Sequence, residues 1–159
     1  MEDTTFEQHH TGHVALRRGR VSLPGQIYHL TVTTRERAPI FRDFDAACAA
    51  CRTFENSALL GEAALLAWVL MPDHAHWLLQ LGESDCLSGV VNKLKSASAR
   101  DVNRTLGRQG ALWTRAFHDH ALRKDETVEA VASYIIANPI RAGLASHPAH
   151  YPYWNTRFL

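Results

Sequence analysis

The order of strand and helix patterns along the 159-residue chain predicts an α+β domain, a ferredoxin-like (RRM-like) antiparallel sheet packed with helices. Three observations support this fold class. An alternating pattern near the start is typical of a half-buried strand, an apolar run followed by Met-Pro-Asp predicts a central hairpin, and helical patterns lie between the strands. The predicted succession is strand, helix, strand, strand, helix, strand and a further helix.

The first half of the chain supplies a strand, a helix and a hairpin. A turn at Leu23-Pro24-Gly25 precedes residues 26–34, whose side chains alternate with the period of a strand. Asp43 is placed to cap a helix that extends to about Leu60, because a carboxylate there accepts a hydrogen bond from the first turn. The remaining elements of this half are a buried strand over residues 63–70, a turn over 71–73 and a strand over 74–81.

The second half supplies two long helices with a strand between them. Residues 88–106 have a helical pattern, and we expect a strand within residues 113–123. Asp125 is predicted to cap the last long helix, with Thr127 and Val128 opening it and Asn138-Pro139 ending it. The aromatic tail, residues 151–159, is expected to pack back on the core.

The composition excludes several classes of protein. The 17 Lys and Arg against 16 Asp and Glu give a formal net charge of +1, so the chain is not a polycation. It has no apolar run of about 18 residues, and its first residues lack the order of a signal peptide, so we expect a cytoplasmic bacterial protein. The three cysteines imply no disulfide framework, and Cys48 and Cys51 are expected on an apolar helix face.

The chain has ten histidines, and four of them form two pairs. His74 and His76 begin a predicted strand, so both imidazoles project from one face and can share a metal ion that needs a third ligand. The alternative is two half-exposed histidines on a strand face. His118 and His120 have the same spacing on another predicted strand, and a cluster of all four histidines stays open.

The last long helix carries a candidate nucleophile. Tyr134 and Asn138 are four residues apart, so their side chains share one helix face. An amide oxygen suits Mg²⁺ or Mn²⁺, and a tyrosine beside a metal-bound phosphate can attack it. The alternative is a tyrosine half-buried in the core with its hydroxyl at the rim.

Four segments together resemble one family. PDHAHWLL at residues 72–79 is similar to the His-hydrophobic-His motif of single-strand transposases and relaxases, the HUH superfamily. LPGQIYHLT at 23–31, WTRAFHDHALR at 113–123 and YIIANPIRAGL at 134–144 resemble the REP-associated tyrosine transposases. The His pair, followed about sixty residues later by Tyr-x-x-x-Asn-Pro-x-Arg-Ala-Gly, carries the resemblance, which covers about residues 23–150.

The resemblance implies a role for each matching residue. His74 and His76 would bind a divalent metal, Mg²⁺ or Mn²⁺, and Asn138 would complete or support the coordination. Tyr134 would be the nucleophile on a C-terminal catalytic helix. Family members cut single-stranded DNA that carries REP hairpins, which are short imperfect palindromes of bacterial genomes. The resemblance to them also implies a monomer rather than a dimer.

The second His pair departs from the family pattern. Members often have arginine at the position of His120, and this departure weakens the expectation of a phosphate contact there. An additional metal or phosphate contact through His118 and His120 stays open.

Basic residues cluster in spite of the near-neutral net charge. Such clusters suit phosphate contacts, and the alternative is an ordinary solvated surface. Residues 1–22 are expected to form a flexible basic arm that can become ordered on DNA. The candidate DNA-binding residues are Arg17, Arg18, Arg20, Arg35, Arg37, Lys93, Lys95, Arg100, Arg104 and Arg115.

Three functions therefore compete. The leading hypothesis is a metal-dependent single-strand endonuclease and strand transferase that acts at REP hairpins in the nucleoid, through a 5′-phosphotyrosyl intermediate. The second is a protein that binds hairpin DNA without cutting it. The third is a nuclease that uses a metal held by histidines to activate water, with Tyr134 in a structural role.

Overall fold

The computed structural model describes residues 22–158, which fold into one antiparallel sheet with helices on both of its faces. The predicted α+β class is confirmed. The predicted basic arm lies outside the described residues, apart from Ser22. The strands are β1 (Ile27–Thr33), β2 (Ala64–Met71), β3 (His74–Gln80), β4 (His118–Ala121) and β5 (Trp154–Thr156), and the helices are α1 (Phe44–Phe54), α2 (Ser57–Leu60), α3 (Leu87–Leu106), α4 (Val128–Ile136) and α5 (Asn138–Arg141).

The strands lie in the order β4-β1-β3-β2-β5, and each neighbouring pair is antiparallel. The first four strands with α1 and α3 make the ferredoxin-like unit, and β5 extends it beyond β2. The predicted hairpin is confirmed, because β2 and β3 pair across the turn at Pro72-Asp73. Among residues 22–158, no helix is both long enough and apolar enough to cross a membrane.

The two faces of the sheet differ in character because side chains alternate along each strand. On one face, Leu30 of β1 and Trp77 of β3 are fully buried beneath α1 and α3, in the main core. On the other face, Leu78 packs against Ala132 and Ile135 of α4 in a smaller cluster. Burying one such large apolar side chain stabilises the fold by about 2 kcal/mol. Trp77 is thus a core residue.

The helix predicted from Asp43 to Leu60 is interrupted. The Asp43 cap is confirmed, since its Oδ1 accepts a hydrogen bond from the Ala46 amide at 2.9 Å. The prediction of one continuous helix is wrong, because α1 ends at Glu55 and the short α2 follows it. The Glu55 carboxylate accepts hydrogen bonds from Trp68 Nε1 at 2.7 Å and Asn155 Nδ2 at 2.9 Å. These contacts with β2 and β5 anchor the helix end and favour a break there.

The strand expected within residues 113–123 is shorter than that segment. Only β4 is regular, because Trp113 turns into the main core and its Nε1 donates to Ser98 Oγ at 2.9 Å. The prediction that Asp125 caps α4 is wrong. Thr127 caps α4 instead, and its Oγ1 accepts from the Ala130 amide at 3.2 Å.

The aromatic tail packs back on the domain, as predicted. Its residues form β5 at the sheet edge, and the Tyr151 hydroxyl donates to the Leu70 carbonyl at 2.6 Å. Tyr153 packs against the main core. Cys51 also packs there, which agrees with its predicted place on an apolar helix face.

The tail hydrogen bond predicts a stability difference between two tyrosine variants. Tyr151→Phe should lower the free energy of unfolding by about 1–2 kcal/mol, because the Leu70 carbonyl loses its hydroxyl donor. Tyr153→Phe is the matched control, since no described residue hydrogen-bonds its hydroxyl. Urea unfolding measures both. Equal losses in the two variants would contradict a stabilising role for the Tyr151 bond.

Candidate active site

The first histidine pair lies on the sheet face that α4 covers in part. His74 and His76 are half-buried on β3, and their ring centroids are 5.0 Å apart with the planes nearly perpendicular. Leu78, two residues further along the same face, packs under α4. The prediction that both imidazoles project together from one strand face is confirmed.

Each ring of this pair has its Nδ1 atom engaged. Asp73 Oδ1 lies 2.6 Å from His74 Nδ1, and a carboxylate there holds the proton on Nδ1. Thr31 Oγ1 and His29 Nε2 each lie 3.1 Å from His76 Nδ1. Among residues 22–158, neither Nε2 atom of the pair has a hydrogen-bond partner. The two Nε2 atoms are therefore the ones available to a ligand.

A third imidazole, which the sequence prediction missed, adjoins the pair. His29 lies on the neighbouring strand β1, and its ring centroid is 5.2 Å from that of His76. The sequence does carry one signal that could have pointed to His29. His29, Thr31 and Thr33 form a polar row that alternates with buried apolar residues along β1. That row marks the face, but only the pairing of β1 with β3 places His29 beside His76.

Burial keeps the inner two rings neutral. It lowers the pKa of His76 to about 3, and the neighbouring His74 and His29 add smaller effects. Burial also lowers the pKa of His29, with a smaller effect from His120. Both rings are therefore uncharged at pH 7, and neutral imidazole is the form that binds a metal ion.

Tyr134 stands beside this row on α4. Its side chain is 56% exposed, and its ring meets that of His29 edge to face with 6.5 Å between centroids. Ala132 and Ile135, on the buried side of the helix, hold α4 against the sheet. The tyrosine is thus exposed rather than half-buried in the core, and the rings of His74, His76, His29 and Tyr134 follow one another across one face.

Asn138 lies at the break between α4 and α5. Because Pro139 has no N–H, it cannot donate to the Ile135 carbonyl as a helical residue would. Asn138 Nδ2 donates to that carbonyl instead, at 2.9 Å. This bond uses the amide nitrogen and leaves the amide oxygen Oδ1 without a hydrogen bond among the described residues.

The second histidine pair flanks the first across β1. His120 lies opposite His29 and His118 lies opposite Thr31, so both pairs project from the same sheet face. His120 Nε2 is 2.9 Å from the Glu126 carboxylate. The backbone N–H of Arg123, and then His120, hold the pKa of Glu126 below its usual range. His120 is therefore engaged by an acidic side chain at the edge of the site.

The donor atoms fit a divalent metal through mixed nitrogen and oxygen ligands. No group of three or more His, Cys, Asp or Glu side chains within residues 22–158 is arranged to hold a metal ion. The donor atoms that could hold a metal are the Nε2 atoms of His74 and His76 together with an oxygen ligand. The amide oxygen of Asn138 is the oxygen ligand that the sequence predicts. Imidazole and amide oxygen together suit Mn²⁺ or Mg²⁺.

Among the predicted basic residues, Arg37 is the one that contacts a neighbour of the first histidine pair. Arg35 and Arg37 belong to a short 3₁₀ turn after β1, and both side chains are mostly exposed. Arg37 Nη1 lies 3.7 Å from Asp73 Oδ2, and Asp73 in turn holds His74. Arg37 is thus connected to the site through a carboxylate.

The remaining predicted basic residues lie elsewhere or outside the described part. α3 packs on the opposite face of the sheet from the imidazoles, so its exposed residues stand away from Tyr134. Lys95 Nζ donates to the carbonyls of Thr114 and Arg115 at 2.6 and 3.1 Å, which ties α3 to the segment before β4. Of the predicted DNA-binding residues on α3 and on the segment before β4, those that are exposed are Lys93, Arg100, Arg104 and Arg115. Arg17, Arg18 and Arg20 lie outside residues 22–158.

Comparisons with known proteins point to one family. A family model described as IS200-like transposase matches residues 22–138. A protein of Haemophilus influenzae that is named a REP-associated tyrosine transposase is 30% identical over an alignment of 98 residues, and the match covers 55% of this chain and 56% of that protein. The chain thus spans little more than half the length of this relative.

Two solved structures have a similar fold. A REP-associated tyrosine transposase bound to a REP hairpin superposes with a TM-score of 0.63 at 22% identity, over 85% of this chain and 79% of that one. A protein of Deinococcus radiodurans described as a transposase superposes with a TM-score of 0.54 at 25% identity, over 75% of this chain and 95% of that one. The ferredoxin-like arrangement is therefore shared with these proteins.

The lowered pKa of His76 predicts its behaviour on acidification. In metal-free protein the His76 ring should stay neutral as the pH falls from 7 to about 4.5, whereas a histidine of an unfolded chain titrates near 6.5. Between about pH 6.5 and pH 3 the unfolded chain then binds more protons at this residue, so its contribution to stability falls as the pH falls.

Nuclear magnetic resonance of the imidazole carbons measures this titration. A His76→Gln variant assigns the resonance, and its stability should depend less steeply on pH than that of the unchanged protein below pH 6.5. A titration midpoint of His76 near 6.5 would contradict the burial of this ring.

Proposed function

The chain belongs to the IS200-like transposase family, and on that premise we propose that it is a REP-associated tyrosine transposase. In this proposal it cuts and rejoins single-stranded DNA at REP hairpins through a covalent bond to Tyr134. The name of the Haemophilus influenzae relative and the hairpin-bound structure support this choice of DNA.

One observation carries the proposal. The unpartnered Nε2 atoms of His74 and His76 and the exposed ring of Tyr134 occupy the same sheet face, with His29 between them. A metal-binding imidazole pair beside an exposed phenol is what a tyrosine nucleophile that attacks a phosphodiester requires. A binder of DNA has no need for this combination.

Tyr134 supplies the attacking oxygen. The phenolic oxygen bonds to the scissile phosphorus as the bond from phosphorus to the 3′ oxygen breaks. The phenol loses its proton, the departing 3′ oxygen gains one, and the 5′ phosphate stays on the tyrosine. Attack by another 3′-OH reverses these steps and joins two strands, so the bond energy is retained and no nucleotide cofactor is needed.

His74 and His76 hold the divalent metal in this proposal, with Asn138 Oδ1 as an oxygen ligand. When bound, Mg²⁺ or Mn²⁺ withdraws charge from the non-bridging phosphate oxygens and orients the phosphate. Asp73 keeps the His74 proton on Nδ1, and Thr31 contacts the same atom of His76. These contacts turn both Nε2 lone pairs toward the site.

The same geometry supports single-stranded DNA as the proposed partner. A single nucleophile cuts one strand, and single-stranded DNA allows its bases to stack and its backbone to follow a basic surface. Arg35 is an exposed charge on the turn after β1, and Arg115 adds another on the segment before β4. We propose that the protein acts as a monomer on chromosomal DNA in the bacterial nucleoid.

A denaturing gel tests the covalent step. The protein is incubated with labelled single-stranded DNA that contains a REP hairpin of the host genome, with Mn²⁺ or Mg²⁺ or with EDTA. We expect a metal-dependent, gel-stable protein–DNA band that is absent with Tyr134→Phe. Tyr153→Phe is the matched control, because that ring belongs to the tail and not to the site.

Two other outcomes select the alternative functions. Cleavage that persists in Tyr134→Phe without a covalent band would favour metal-activated water. A shifted band on a native gel without cleavage, for a panel of host hairpins, would favour a hairpin-binding protein.

The contact between Asp73 and His74 predicts an effect on metal affinity. Asp73→Asn should weaken Mn²⁺ binding by about 10-fold to 100-fold, because the carboxylate that orients the His74 ring is lost. Isothermal titration of the DNA-free protein with Mn²⁺ measures this affinity. The control is Asp101→Asn, whose carboxylate pairs with Arg104 on α3, and equal affinity in both variants would argue against the role of Asp73.

A further inference from the structure

The helix break after Tyr134 recruits two side chains as hydrogen-bond donors. Asn138 donates to the Ile135 carbonyl, and Arg141 Nη2 donates to the carbonyl of Tyr134 itself at 2.8 Å. Carbonyl groups in the last turn of a helix lack helical donors, so side chains from the following segment can satisfy them. Arg141 thereby connects α5 to the residue that carries the phenol.

The same guanidinium also covers the tyrosine ring. Arg141 Cζ lies 3.8 Å from the centroid of the Tyr134 ring, within the range of a cation–π contact. One planar group therefore contacts Tyr134 at two points, the aromatic face and the backbone oxygen. His29 meets the ring edge to face, so the ring is held between an arginine and an imidazole.

Nothing else in the described chain restrains the phenol strongly. The side chain is 56% exposed, and no hydrogen bond to its hydroxyl is made by residues 22–158. An exposed aromatic ring on the last turn of a helix has several rotamers to visit. A nucleophile must instead keep its oxygen in line with the bond that breaks, and small misplacements of reacting groups cost large factors in rate.

We propose that Arg141 is a positioning residue for Tyr134, which holds the ring over the row of imidazoles through its stacked guanidinium and its bond to the Tyr134 carbonyl. The inference rests on the proposed function, because it assigns the tyrosine as the nucleophile. Arginine suits this task better than lysine, since a planar fork stacks and donates at once whereas an ammonium group is a compact charge.

Two variants separate positioning from charge. Arg141→Gln removes the stacking cation, and Arg141→Lys keeps the charge but loses the planar fork. Arg52→Gln is the matched control, because Arg52 is an exposed arginine on α1, across the sheet from the site. Circular dichroism confirms that each variant is folded, and Arg141→Lys serves if Arg141→Gln does not fold.

The first readout needs no DNA. The protein is labelled with 3-fluorotyrosine, and the fluorine resonance of Tyr134 is assigned by its absence from Tyr134→Phe. Both Arg141 variants should move this resonance toward the value of an unstructured fluorotyrosine, while the resonances of the other three tyrosines stay in place. An unmoved Tyr134 resonance would overturn the proposal, since the ring would then be held without Arg141.

The second readout separates the reaction from binding. Single-turnover formation of the covalent band should slow by about tenfold or more in both Arg141 variants, while the affinity for the hairpin DNA stays within about twofold. Arg52→Gln should change neither quantity. Loss of affinity that accounts for the slower rate, or full activity in Arg141→Lys, would overturn positioning and indicate a charge that contacts DNA.

Failure of the proposed function can be distinguished from failure of the Arg141 inference. If the unchanged protein forms no covalent band with any host hairpin, the tyrosine is not a nucleophile and the positioning role is overturned with it. A fluorine shift in that case would show only that the guanidinium contacts the ring.

Discussion

The pairing of β1 with β3 determines which side chains the site contains. In the observed register Thr31 lies opposite His76 and Thr33 lies opposite His74, so the polar positions of both strands share one face. A slip of one residue in either strand would turn its imidazoles into the main core and bring Leu30 or Trp77 to the surface. Because that core is tightly buried beneath α1 and α3, the register is strongly specified. The packing on one face of the sheet thereby positions the imidazoles on the other.

The end of α4 is the second determinant of the site. Ala132 and Ile135 dock the helix on the sheet, which leaves Tyr134 on the outer side and next to His29. Pro139 then stops regular helical bonding, and side-chain donors take over at the carbonyls of the last turn. The sequence that follows the tyrosine thus shapes its surroundings, as well as ending the helix that carries it.

Local patterns predicted most of the fold and the site residues that lie on one element. The alternation of β1, the Pro-Asp hairpin and the spacing of His74 and His76 are visible in short stretches, and the structure confirms each of them. His29 was missed because its role depends on a neighbouring strand 45 or more residues away in the chain. The break in the first helix was missed for the same reason, since Glu55 is held by Trp68 and by Asn155 of the tail. Contacts between distant segments, rather than local propensity, decided these features.

Mass spectrometry that locates the attached nucleotide tests whether Tyr134 forms a covalent bond to DNA. The protein is incubated with hairpin-bearing single-stranded DNA and a divalent metal, the DNA is digested, and the tryptic peptides are sequenced. We expect a 5′-phosphonucleotide mass on Tyr134, in a peptide that disappears from reactions with EDTA. A nucleotide on another residue, or cleaved DNA with no modified peptide, would contradict a covalent role for Tyr134.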